Sequence, residues 1–237
     1  MAGSDAADYL QRMVSNDVEA LSPGEACPAL LLTAKARVVA PLVVLRRAEN
    51  DFLVLTEPGL GEVVRVNLAR MRLRAQCEIE PEEHDSVLVF GGAQGFATDW
   101  PGAREALDTA LEPTLSHEEL ELRRIESRVP RWEREIDDRI LPAEAALEET
   151  HVSFSKGCYP GQEPVARLHF RGHPNRTLRV LELDDLPDYD ASLLHDGRNV
   201  GRVTSAARRE DGSIVALAYV RTEVPDDAPL ALAARAG

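Results

Sequence analysis

Eight consecutive residues hold the densest chemistry in the chain: Lys156-Gly157-Cys158-Tyr159-Pro160-Gly161-Gln162-Glu163. They include one of only two lysines and one of three cysteines, with a glycine on each side of the Cys-Tyr-Pro step. Glycine permits left-handed backbone or the close approach of a second segment. Lys156 and the N-terminus of a helix starting near Gln162 would each favour the thiolate of Cys158. On residue chemistry alone two readings stand. Cys158 is a reactive thiol, or it is a small apolar residue buried in a tight turn. Cys27 and Cys77 lie in segments of strand character and read as packing residues. Three cysteines so far apart build neither a disulfide framework nor a tetrahedral zinc site. His169 and His173 are separated by Gly172 and followed by Pro174, which breaks the helix needed to put both on one face, so no metal is expected.

The elements that must position this stretch follow from periodicity. Ser4 is suited to cap a helix carrying Asp5 and Asp8 in its first turn, with Tyr9, Leu10, Met13 and Val14 on one face. Residues 26–55 change to β-branched and apolar runs divided by polar turns at 34–37 and 46–51, which predicts antiparallel strands. Pro58 suits the first turn of a helix with Leu60, Val63, Val64, Leu68 and Met71 at helical spacing. Strand character resumes at 78–80 and 86–90. The glycine-rich segment 91–95 lacks the context of a phosphate loop and reads as a turn. Ser116-His117-Glu118-Glu119 is a capping box, predicting a helix toward Glu126. Beyond Pro174 come short strands at 176–183, 200–206 and 214–221, separated by Asp-Gly turns, which reads as a small β-barrel or sandwich. The expected class is therefore α+β.

A chain of 237 residues buries roughly 70–75% of its unfolded surface and needs no staples to fold. No apolar run approaches a membrane span. The formal net charge of −14 repels polyanions over most of the surface, so direct nucleic-acid binding is not expected. Met1 to Asp8 carries neither basic leader nor apolar core, and the expected compartment is the cytoplasm.

Lys156 to Glu163, with Val165-Ala166-Arg167 and Arg171-Gly172, resembles the K-G-C-Y-x-G-Q-E signature of the folate-binding YgfZ family, itself related to the glycine-cleavage T-protein aminomethyltransferases. Further blocks resemble the family in order: residues 5–11 with Asn16-Asp17, Arg124-Ile125-Glu126 before Pro130, Leu141 to Glu144, and Gly201 to Ser205. The resemblance implies an aminomethyltransferase-like folate-binding domain of split strand-helix units over residues 1–165 and a C-terminal β-barrel domain over 166–237. It implies tetrahydrofolate, or another reduced folate, as cofactor, held by Arg124, Glu126, Tyr159, Gln162 and Glu163. Cys158, assisted by Lys156, becomes the functional thiol. The partners it implies are iron-sulfur client proteins. The function is then that of an accessory protein in iron-sulfur cluster assembly or repair. Two alternatives are a folate-dependent aminomethyl or methyl transferase and a folate-independent interaction module.

Departures from the related families are specific. Where the aminomethyltransferases resemble one another in a G-G-I-x-D-D-L block, this chain has residues 36–42 with Ala40 and Pro41, which cannot ionise, so glycine cleavage is not expected. Arg128 replaces the usual glycine after Glu126, and Pro160 and Pro164 stiffen the signature turn.

Overall fold

A computed structural model of the chain describes residues 1–233. It divides into two compact units that interleave along the sequence. The first takes residues 1–112, 137–142 and 147–167, and the second takes 113–136, 143–146 and the described residues from 168 onward. The division is therefore not a single cut near residue 165, because the helix opened by Ser116 folds with the C-terminal strands.

In the first unit, helix α1 (Ala6–Met13) precedes a three-stranded antiparallel sheet of β1 (Ala26–Leu32), β2 (Val38–Ala48) and β3 (Asp51–Leu55), in the order β1-β2-β3. Tyr9, Leu10, Met13 and Val14 are all buried, as their spacing requires. Asp5, not Ser4, occupies the N-cap position, and its side chain accepts the Gln76 backbone N–H instead of capping. Helix α2 (Gly61–Met71) buries Val64 and Leu68 beneath Leu60, while Val63 and Met71 face solvent. The helix presents only its 60/64/68 stripe to the sheet, which is narrower than the apolar pattern in the sequence. Tyr9 ties α1 to α2 by donating from its hydroxyl to the Leu68 carbonyl.

The expected strand at 78–80 reduces to a bridge between Glu78 and Ala2. β4 (Ser86–Phe90), β5 (Phe96–Ala97) and β6 (Ala103–Leu107) form a second small sheet in the order β4-β6-β5.

The second unit opens with α3 (His117–Glu126), whose Ser116 hydroxyl and Glu119 carboxylate satisfy each other's backbone donors as a full capping box. The short α4 (Glu148–His151) belongs to the first unit, and α5 (Gln162–Arg171) begins in the first unit and ends in the second. Pro164 sits in the first turn of α5, where a missing N–H leaves no helical bond unmade. The remaining strands, β7 (Arg176–Leu183), β8 (Ser192–His195), β9 (Arg198–Arg208), β10 (Ile214–Arg221) and β11 (Ala231–Leu232), form one antiparallel sheet ordered β11-β8-β9-β10-β7.

Among the described residues this sheet does not close: β11 and β7 remain its edges, so the expected barrel is an open five-stranded sheet. β10 is buried from Ile214 to Val220 because both of its faces are covered. Ala216, Ala218 and Val220 pack with Leu193, Val203 and Val224 on one side, and α3 lies against β9 and β10.

Candidate functional site

The signature stretch is a loop in the first unit, pinned at three points with Cys158 displayed between them. Lys156 is buried and its ammonium donates to the carbonyls of Gln11 at 2.6 Å, Val14 at 2.8 Å and Asn16 at 2.7 Å. These carbonyls lie at and just past the C-terminal end of α1, where orphan acceptors and the negative end of the helix dipole favour a cation. Burial pulls the Lys156 pKa down to about 8, which still leaves the amine protonated at neutral pH. Three protons meet three acceptors. Its donors are committed to backbone oxygens, so Lys156 gives Cys158 no hydrogen bond.

Tyr159 is the second pin. Its ring is buried and lies 5.5 Å from the Lys156 ammonium. The hydroxyl has no hydrogen-bond partner among the described residues, and burial, aided by Glu148, pushes its pKa up to about 12, so it remains a donor.

The third pin is Gly161, at φ +83°, where an added Cβ would lie 2.5 Å from the Thr33 carbonyl oxygen and 3.0 Å from the Ala36 Cα. The loop thus rests directly on the turn between β1 and β2. Gly157 has open space around it and no positive φ, so only one of the two glycines is required by geometry. Gly161→Ala is expected to destabilise the protein by about 1–3 kcal/mol. Gly157→Ala should stay within about 0.5 kcal/mol of wild type. Urea titrations of the two variants check the contrast, and equal stabilities would refute it.

Cys158 is exposed, which excludes the reading of a buried packing residue. The other thiols differ. Cys77 is buried and its pKa is raised by desolvation, and burial pushes Cys27 up to about 12. Gln162 and Glu163 begin α5 immediately after the loop, half-buried and exposed respectively. Among the described residues no three His, Cys, Asp or Glu side chains group closely enough to hold a metal ion.

Arg124 and Glu126, assigned by resemblance to the folate site, belong to the second unit and are placed for other work. Arg124 is buried and spends every N–H internally. Nε and Nη2 donate to Glu121 at 2.9 and 2.8 Å, Nη2 also to the Ser205 hydroxyl at 2.6 Å, and Nη1 to Val129 O at 2.7 Å and Glu135 at 3.0 Å. Glu126 is 40% exposed and accepts from Arg209 Nε at 2.6 Å. Its carboxylate is a solvated ion-pair partner, not the buried acceptor that a pterin edge demands. As held here, these two residues do not fit the implied folate site. Of the residues named for it, Tyr159 alone keeps a buried, unsatisfied donor.

His151, which no sequence motif marks, is buried with its Nε2 4.0 Å from Asp99 Oδ2. Burial pulls its pKa down to about 4, so it is neutral at pH 7. Neither residue stands in a motif that would have signalled the approach.

Comparison with known proteins finds similar chains over nearly the whole length. The tRNA-modifying protein YgfZ of Edwardsiella ictaluri (strain 93-146) is 26% identical over 277 residues, covering 97% of this chain and 83% of that protein. The protein of the same name from Serratia proteamaculans (strain 568) is 28% identical over 273 residues, covering 96% and 83%. This chain is similar to the YgfZ proteins over nearly its whole length. No family model matches it. Among solved structures, the glycine cleavage system aminomethyltransferase T from Bartonella henselae superposes with a TM-score of 0.79 over 99% of this chain and 78% of that one, at 18% identity. The fold is thus that of the aminomethyltransferases. The similarity to YgfZ covers 97% of this chain and so reaches both units, with the pinned loop and the segment at 36–42. There Ala40 and Pro41 are buried in β2 with nothing to ionise, so this segment supplies no carboxylate for aminomethyl transfer. Among the described residues no helix is long and apolar enough to cross a membrane.

Proposed function

We propose that this protein is a cytoplasmic, reduced-folate-binding accessory protein in the assembly or repair of iron-sulfur clusters in client enzymes, with the Cys158 thiol as its working group. The observation that carries the reading is the display of Cys158: one exposed cysteine, held on a loop fixed by Lys156, Tyr159 and Gly161, while the other two thiols are raised by burial. A chain that only needed a turn here has no use for so many constraints around an accessible thiol.

An accessory role also reconciles two facts. The relatives are named for tRNA modification, yet this chain has a net charge of −14, which opposes binding of a polyanion. If the client enzyme handles the RNA, this chain need not. The transferase alternative is disfavoured by Ala40 and Pro41.

The folate part rests on the fold and on the unpartnered Tyr159 hydroxyl, and is tested by anaerobic calorimetric titration with tetrahydrofolate. Wild type should bind saturably, and Glu126→Ala should bind within twofold of wild type because that carboxylate is engaged with Arg209. Tyr159→Phe should bind about tenfold more weakly, the scale of one lost hydrogen bond. Absence of binding to wild type would remove folate from the account.

A further inference from the structure

A second site lies in the second unit, lined by none of the candidate site residues assigned above. Three arginines rise from three adjacent strands onto one face of the open sheet. Arg202 of β9 stands directly across from Tyr219 of β10, and Arg176 of β7 stands directly across from Arg221 of β10. Tyr219 and Arg221 are two apart on one strand, so all four side chains share a face.

The Tyr219 ring forms the floor. It is fully buried, its hydroxyl donates to the Glu135 carbonyl at 2.7 Å, and the guanidinium groups of Arg176 and Arg202 lie 4.9 and 5.7 Å from its centroid. Gly201 lets β9 close up beside it, since a Cβ there would meet the Tyr219 carbonyl oxygen at 2.2 Å. The result is a cleft of about 1080 Å³, large enough for a ligand of nucleotide size.

Each arginine is oriented by one carboxylate without being used up. Arg176 donates through Nε to Glu144 at 3.2 Å, Arg202 through Nη1 to Asp190 at 2.8 Å, and Arg221 approaches Glu223 at 3.6 Å. Held by one edge, a guanidinium keeps further N–H donors for a bidentate partner, the geometry that suits phosphate. Asn175 and Ser192 on the rim add neutral polar groups.

We propose that this cleft binds the phosphate groups of a small phosphorylated molecule. A small ligand fits better than a nucleic acid, because the three arginines are confined to one concavity on a chain of net charge −14, and a long polyanion would have to cross acidic surface beyond it.

The test is calorimetric titration of the intact protein with inorganic pyrophosphate, alongside ADP and an unmodified tRNA transcript, at 150 mM salt. Pyrophosphate or ADP should bind saturably. Binding should weaken at least tenfold in Arg202→Gln and in the more exposed Arg221→Gln, both retaining the wild-type unfolding midpoint. Arg202→Lys, which keeps charge but loses the fork, should fall in between. No saturable binding of pyrophosphate or ADP up to several millimolar would overturn the proposal, as would equal binding by wild type and both glutamine variants. Arginine-dependent binding of the transcript alone would overturn it in favour of an RNA surface.

Discussion

Arg124→Met is expected to destabilise the protein by about 3–5 kcal/mol, because it strands a buried carboxylate. Glu135 is 1% exposed and accepts from Arg124, from the Ser205 hydroxyl at 2.7 Å and from the Arg131 backbone N–H at 3.1 Å. Removing the guanidinium leaves its charge without a counter-charge in a site closed to water, and also orphans the Val129 carbonyl. The pair itself is not the source of the stability, since taking two ions out of water costs nearly what their attraction returns. The double variant Arg124→Met/Glu135→Met should therefore be more stable than Arg124→Met alone. Denaturant titrations of the two variants measure this. A loss below about 1 kcal/mol for the single variant would mean that the network is not as closed as the geometry indicates.

Lys156→Met is expected to be comparably severe, at about 3–5 kcal/mol, since three buried or half-buried carbonyls lose their only cation at once and an unsatisfied buried group costs about 1–3 kcal/mol. Methionine matches the aliphatic stem, so the lost volume is small and the effect isolates the ammonium. Lys156→Arg should not restore stability, because a planar fork cannot direct three donors into a cage built around a compact ammonium. Thermal unfolding gives the stability, and proteolysis of the native protein should cut first within residues 155–161 once the peg is gone. A methionine variant as stable and as resistant as wild type would contradict the role assigned to Lys156.

These two residues also show where sequence reading reached its limit. The signature loop stood out because Lys, Gly, Cys, Tyr, Pro and Gly in succession are unusual, and periodicity located β1, β2, β3, β7, β9, β10 and α3 closely. Strands β5, β8 and β11 escaped because two to four residues carry no period, and β6, Ala103–Leu107, places Arg104 and Glu105 side by side. Lys156 was credited to Cys158, its neighbour in sequence, whereas its acceptors lie 140 to 145 residues earlier. Arg124 was credited to a ligand, whereas Glu135 and Ser205 lie 11 and 81 residues away. Sequence spacing can name a group able to make three or five hydrogen bonds, but not which distant chain segment supplies the partners. The barrel failed for a related reason: strand periodicity sets which face is buried and says nothing of whether two edges meet.

The account stands on Cys158 as an accessible working thiol, and the most direct measurement is genetic rescue. Wild type and Cys158→Ser would be expressed to equal levels in a strain lacking its own family member, with activity of an iron-sulfur client enzyme as the readout. The account predicts that Cys158→Ser unfolds within about 2 °C of wild type, because the side chain is exposed, and yet fails to restore client activity. Full rescue by the serine variant would contradict it and reduce the pinned loop to a structural turn.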